Sequence, residues 1–391
     1  MSDVPPVLIL LALDERPWPL RGRAGLRFGS TPLLIDQLRH FYQLGLQRVV
    51  IITDADCVGD LAALAAPVDF MAVSVIAATD GLSMHLPAQT RFYIATLADV
   101  VDPELGQLLI SAGNNEPDTL HAAIHAQEAM TDRPLIQLVT PQYGAVLDWL
   151  DILHIGAYGY ERALTHLLAT QTVTLLTYRG PWVSLAQPWH VLDVMAHYLA
   201  RIDGQTIATS AYVAPTATLT GPVIVEADAK IYPGASVIGP AYIGAGTIVG
   251  NNALVRQAMV LDGCTVGFTT EVARSYIADG CDLHACRVLD SVFASTVNFS
   301  AGCTTANLRM DRGVVPTTIH GERVNSGRAK LGAVIGEGAF LAVDVLTMPG
   351  VKIGAGAQIG PGVHVYTDIS DGQRMYIKQE YVIIDPPPRQ I

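Results

Sequence analysis

The side chains best suited to chemistry gather in one stretch, EVARSYIADGCDLHACRVLDSVFASTVNFSAGCTTANLRMD, residues Glu271–Asp311. Its one histidine is His284, and an imidazole titrates near neutrality, at about 6.5 unperturbed, so it can take and return a proton. Asn298 and Asn307 add amide donors. Arg256, Arg287, Arg309, Arg323, Arg328 and Lys330 lie within or close to the same stretch, and guanidinium forks pair well with phosphate. Taken alone, His284 reads as an exposed corner residue of a repeat. The five cysteines, Cys57, Cys264, Cys281, Cys286 and Cys303, form no CxxC pair with a histidine at zinc spacing. They read as reduced thiols of a cytosolic protein, filling inward or corner positions.

These residues must be positioned by an internal repeat. Val213, Leu219, Val225, Ile231, Val237, Ile243, Val249 and Val255 are branched apolar residues spaced six apart. Pro215, Gly221, Pro233, Gly234, Gly239 and Gly246 fall between them. Neither a helix nor an alternating strand has that period. Each hexad places one aliphatic side chain inside and then turns a corner, and coils must stack because one coil cannot bury its own interior. The rhythm returns at Ile335, Leu341, Thr347, Ile353, Ile359 and Val365. These hexads resemble the left-handed parallel β-helix of the hexapeptide-repeat acyltransferases. That hand runs against the usual rule for parallel crossovers, so it comes from the resemblance.

The chain has 391 residues, of which 50% are hydrophobic and 15% charged, which suggests two or three domains with large cores. A net charge of −12 argues against non-specific binding to nucleic acid or to an anionic membrane, while a small anionic substrate stays possible. The apolar run Val7–Leu13 is short, lacks a basic flank and leads into Asp14, Glu15 and Arg16, so it reads as a buried strand and not as a signal or a span.

From Val7 to about Asp203 strands and helices alternate. Strands are expected at Val7–Leu13, Val49–Thr53, Met71–Ala78, Phe92–Leu97, Ile136–Thr140 and Val173–Tyr178. Helices are expected at Pro32–Leu46, Thr119–Met130, Glu161–Ala169 and Val191–Ala200. That order indicates an α/β, Rossmann-like domain with a mostly parallel sheet over residues 1–205. Its first turn, LALDERPWPLRGRAGLRFGSTPLLIDQL, is similar to the opening of the sugar-1-phosphate nucleotidylyltransferases. That family needs glycines so that backbone N–H groups can approach a triphosphate, and a fixed cation beside them. Here Arg16 matches the family's arginine and Arg23 falls near its lysine, but Asp14 and Glu15 stand where glycines belong, and two carboxylates repel a phosphate. Asp99, in Thr96-Leu97-Ala98-Asp99, matches a Mg²⁺-binding aspartate. The family's second acid, in a Trp-x-Asp segment, is replaced by Ser184 ahead of Pro188-Trp189. The resemblance therefore implies a nucleotidylyltransferase-like fold with a degenerate site, needing Mg²⁺ only if it is active.

Residues 206–391 are the expected β-helix. Glu271–Asp311 resembles the acetyltransferase half of the bifunctional enzymes that make UDP-N-acetylglucosamine, matching at His284, Val297-Asn298, Ala301-Gly302, Thr305 and Asn307. His320–Val363 resembles the archaeal-type sugar-1-phosphate nucleotidylyltransferase/amino-sugar-1-phosphate acetyltransferases, through Gly321-Glu322-Arg323 and Ser326-Gly327-Arg328-Ala329-Lys330-Leu331-Gly332-Ala333. The resemblance implies that His284 is the base and that Asn298 and Asn307 bind or polarise the reacting groups. It implies too that Arg256 and Lys330 contact a sugar phosphate, with Arg287, Arg309, Arg323 and Arg328 as further cations. Acetyl-CoA would be co-substrate, and a cytoplasmic homotrimer would hold coenzyme A between neighbouring helices. This chain departs from the pattern at Arg287, where the family has tyrosine, at Ala273, where it has lysine, and at Leu341-Ala342-Val343-Asp344. The polar insertion at about 312–330 is expected to protrude as a hairpin or loop over a neighbouring subunit. The tail from Asp371, ending Asp385-Pro386-Pro387-Pro388, is expected to wrap the last coil and cover an open edge.

Three functions remain open at this level. The first is an acetyl-CoA-dependent amino-sugar-1-phosphate N-acetyltransferase of nucleotide-sugar biosynthesis with a decayed first domain. The second is a non-catalytic paralogue that binds a nucleotide sugar and serves an active enzyme. The third is a working nucleotidylyltransferase.

Overall fold

The computed structural model describes residues 6–13, 16–80, 92–101, 103–116, 120–125, 138–140 and 172–384. β1 (Val7–Ala12) is buried along its whole length, because sheet neighbours and packed helices leave neither face to solvent. It lies between β2 (Arg48–Thr53) and β4 (Phe92–Thr96), both parallel to it, and β3 (Ala72–Ala77) pairs outside β2. β6 (Leu120–His125), β7 (Leu138–Thr140) and β8 (Val173–Tyr178) complete a seven-stranded sheet of order β3-β2-β1-β4-β7-β6-β8. β7 is antiparallel to both of its neighbours. A two-stranded antiparallel piece joins β5 (Asp99–Val101) to β9 (Trp182–Ser184).

Among the described residues, four helices pack around this sheet: α1 (Leu33–Gln43), α2 (Val58–Ala65), α3 (Pro103–Asn115) and α4 (Val191–Leu199). α1 buries Leu33, Leu34, Gln37, Leu38 and Phe41, the stripe that a period of 3.6 requires. α2 and α3 were not among the expected helices. Thr119–Met130, expected as a helix, holds the strand β6 instead. Leu120-His121-Ala122-Ala123-Ile124 is short enough to satisfy either period, and pairing with β8 over six residues decides it. The expected helix Glu161–Ala169 lies outside the described residues.

From Gln205 the chain is a left-handed parallel β-helix of three sheets with eight, nine and eight strands. Each coil contributes a strand of two or three residues to each face. Along the second face, successive inward residues are Val213, Ile231, Val249, Val266, Leu283, Phe299, Leu341 and Ile359. The first coils are 18 residues long, the next 17, and the one before Phe299 is 16. Corners shorten while the registers hold. Inward residues from Val223 to Val365 form one apolar column, including the edge-to-face pair Phe293 and Phe299, whose ring centroids are 5.1 Å apart. Four of the five cysteines lie in that column, and all five are buried and free.

The first face does not look out on solvent. Its outer residues Tyr242, Met259, Tyr276, Val292 and Val334 share a core with Phe28, Trp189 and α4 of the first domain. Phe28 stacks on Tyr198 at 5.1 Å and tilts onto Tyr276 at 5.6 Å. Arg27 bridges Asp262, at 2.9 Å, and Asp279, and the Tyr276 hydroxyl donates to the Arg27 carbonyl at 2.9 Å. Trp18 donates to Asp371 at 2.9 Å and lies under the Lys352 ammonium, while Arg21 pairs with Glu337 at 2.9 Å.

The insertion is an antiparallel hairpin, Pro316–Ile319 with Glu322–Asn325. It leans on its own chain. Ile319 and Val324 pack against the shared core, Thr317 donates to the Gly350 carbonyl at 2.9 Å, and Arg328 pairs with Asp193 of α4. The tail adds one strand, Arg374–Met375, to the second face. Contrary to expectation it then leaves the helix, and Tyr381, Val382, Ile383 and Ile384 are 80% or more exposed.

Candidate active site

His284 follows the strand Asp282–Leu283 at the corner between the second and third faces. Alternation sends Leu283 inward and leaves Asp282 and His284 exposed. The next coil sets Asn298 beside Asp282 and, through the bond from His284 N to the Phe299 carbonyl at 3.0 Å, Ser300 beside His284. On the preceding coil the matching position is Gly267. A Cβ there would stand 2.8 Å from the Leu283 carbonyl, closer than a side chain tolerates, so the glycine is required by the close approach of the next coil's backbone. The Ser300 hydroxyl donates to Asn298 Oδ1 at 3.1 Å. Exposed Phe268 and Phe340 flank the group, and Phe340 is the register partner of Asn298. Arg287 is exposed at the start of the third-face strand, three residues beyond His284, between Glu271 and Thr304 in register.

Asn307 is not part of this group. It lies past the third-face strand Thr304–Thr305, at the next corner of the prism, where its amide donates to Asp290. Asp290 is held from the other side by Nε and Nη2 of Arg274, at 2.7 Å each, and this carboxylate keeps the guanidinium strongly protonated. Along the same edge Arg256 pairs with Glu271 at 3.0 Å, and Lys330, exposed, bridges to Leu308 in the backbone. Arg309 is tied to Asp311, whose carboxyl it holds well below the usual range. Arg323 is exposed on the hairpin, and Arg328 is engaged with Asp193 at the domain junction. The expected cations are thus spread over an edge, a loop and a hairpin.

Asp290, Gly267 and Ser300 carry no motif that singles them out in the sequence, and Arg274 stands out there only as the cation left beside Ala273. Counting coil lengths reaches them, since Arg274 and Asp290 lie 16 apart, Asp290 and Asn307 17, and His284 and Ser300 16.

In the first domain, Asp99 and Ser184 are register partners across the β5–β9 pair, so the two positions singled out as metal-binding are neighbours. Asp99 accepts from the Thr96 hydroxyl. The pair thus sets one carboxylate beside one neutral hydroxyl. Among the described residues no group of three or more His, Cys, Asp or Glu could hold a metal ion. Arg23 is buried and donates to the carbonyls of Leu185 at 2.8 Å, Leu13 at 3.0 Å and Ala186 at 3.1 Å, the contacts of a structural strut. Arg16 is exposed and paired with Asp56 and Asp60. Trp189 is a core residue, 2% exposed. Asp14 and Glu15 lie outside the described residues. Among the described residues no helix is long and apolar enough to cross a membrane.

Fold and site define a class: an α/β domain with a seven-stranded, mostly parallel sheet, joined to a parallel β-helix of six-residue repeats that carries an exposed histidine. Comparison with known proteins agrees. Residues 219–324 match the model of the GMPPB C-terminal domain. The chain is 36% identical over 230 residues to a bifunctional sugar-1-phosphate nucleotidylyltransferase/acetyltransferase of Sulfurisphaera tokodaii, covering 58% of this chain and 57% of the relative. It is 37% identical over 223 residues to the bifunctional protein GlmU of Methanococcus maripaludis, covering 56% and 53%. To the protein of that name from Methanocaldococcus jannaschii it is 31% identical over 222 residues, covering 56% and 53%. Over these stretches the chain is similar to bifunctional nucleotidylyltransferase/acetyltransferases. Its matches span little more than half the length of these relatives.

Proposed function

We propose that the β-helix transfers an acetyl group from acetyl-CoA to the amine of an amino-sugar-1-phosphate, within nucleotide-sugar biosynthesis, and that the first domain has lost nucleotidylyl transfer. The observation that carries the reading is His284, exposed on an outer face with Ser300 beside it and the Asn298 amide on the adjacent coil. The amine nitrogen attacks the thioester carbonyl carbon, the C–S bond breaks, and coenzyme A leaves as thiolate. His284 takes the proton released by the amine and returns it to the thiolate. Asn298 donates to the oxygen on which negative charge builds.

A homotrimer follows from the same reading. His284 and Asn298 belong to one edge of the prism, while Arg256, Asn307 and Lys330 belong to another, and one chain cannot bring the two edges together. A threefold assembly that faced one edge with the other would complete a site in which cations meet the sugar phosphate.

The test is release of free thiol from acetyl-CoA with glucosamine-1-phosphate or galactosamine-1-phosphate. Wild type is expected to release it and His284→Ala to lose at least a hundredfold, in line with the 10²–10⁴ that positioned acid–base groups contribute. With a nucleoside triphosphate, a sugar-1-phosphate and Mg²⁺, no pyrophosphate is expected. Robust production would overturn the reading of Asp14, Glu15 and Ser184. The second reading, a non-catalytic partner of an active enzyme, draws on Arg287 and on Ala273, which is buried and carries no cation, two positions at which the sequence departs from the pattern it resembles. Absence of thiol release with every amino sugar would favour it.

A further inference from the structure

Acetyl transfer asks more of Asn298 than its presence. An amide can turn either its carbonyl or its NH₂ toward a substrate, and only the NH₂ stabilises a developing oxyanion. In this chain the choice is made locally. Ser300 is two residues from Asn298 on the same outer side of the strand, and its hydroxyl donates to Asn298 Oδ1 at 3.1 Å. That bond occupies the carbonyl end and leaves both Nδ2 protons for a ligand. The backbone below Ser300 is fixed, because Ser300 N donates to the Leu341 carbonyl at 3.0 Å and Asn298 N to the Ala339 carbonyl at 3.0 Å. Ser300 is also the register neighbour of His284, so base and amide share a rigid patch on adjacent coils.

Building on the acyl-transfer reading, we propose that Ser300 is a positioning residue that locks the Asn298 amide with its NH₂ toward the thioester carbonyl. Ser300 itself need not touch the reacting atoms. The hydroxyl of threonine can make the same bond, and alanine cannot.

The experiment is steady-state thiol release by wild type, Ser300→Ala, Ser300→Thr, Asn298→Ala and the double variant Ser300→Ala/Asn298→Ala, over a range of pH. Ser300→Ala is expected to lose about tenfold in kcat, the scale of one hydrogen bond. Its KM for acetyl-CoA should hold and its pH profile should keep the wild-type shape. Ser300→Thr should recover most of the loss. The double variant should be no slower than Asn298→Ala, because two residues acting as one unit are not additive. Full activity in Ser300→Ala, or losses that multiply in the double variant while His284→Ala remains inactive, would overturn this inference and leave the acyl-transfer reading standing. A wild-type protein that releases no thiol would overturn both.

Discussion

His284 is useful because of where a strand of two residues ends. Leu283 faces the apolar column, and the chain turns before another inward residue is needed, so the imidazole stays in water with Ser300 on one side and Gly267 on the other. The cysteines are the opposite case. Burial pushes the Cys286 thiol up to about 12 and the Cys57 and Cys303 thiols up to about 11, so they are inert packing groups at neutral pH. The sign of the consequence is fixed. Above about pH 9 the unfolded chain loses thiol protons that the native state keeps, so stability falls as pH rises from about 9 towards 12. Thermal unfolding followed across that window should show a declining midpoint, and a shallower decline in Cys286→Ala.

At the scale of the element, the hairpin is held by a lysine that the coil cannot leave unpaired. Lys352 is 1% exposed, and its ammonium lies 2.7 Å from Asp368 and 3.2 Å from the Thr317 hydroxyl, with the Thr318 carbonyl completing its partners. Removing one partner of a buried pair costs about 3–5 kcal/mol, far above the worth of a surface ion pair. Lys352→Met should therefore lower unfolding free energy by about 3 kcal/mol in urea titrations. Pairing it with Asp368→Asn should recover part of that loss, since no lone carboxylate then faces the site.

At the scale of the whole molecule, residues 18–28 bind the two domains. By sequence this segment resembles the opening loop of the nucleotidylyltransferases. Here Trp18, Arg21 and Arg27 all reach the β-helix, and Arg23 props the first domain from within. The segment is engaged over most of its length and the first face of the prism is covered. Arg27→Ala leaves Asp262 and Asp279 without their shared cation while the Phe28–Tyr276 contact persists. Calorimetry should then resolve the unfolding of the first domain from that of the more stable β-helix, with the first transition moved to lower temperature and the second unchanged.

The six-residue rhythm was enough to read the β-helix, its inward column and the position of His284, because coil stacking is a local rule repeated many times. The order of strands and helices revealed the first domain for the same reason, except where Leu120–His125 was too short to declare its period. Tertiary structure decided what depends on distant partners. It set Ser300 against Asn298, put Asn307 on a different edge from His284, placed Asp99 opposite Ser184, and turned a nucleotide-type loop into a clasp. Those pairings join residues whose separation reflects coil lengths and domain docking, and no spacing in the chain encodes them until the coils are counted and the faces are packed.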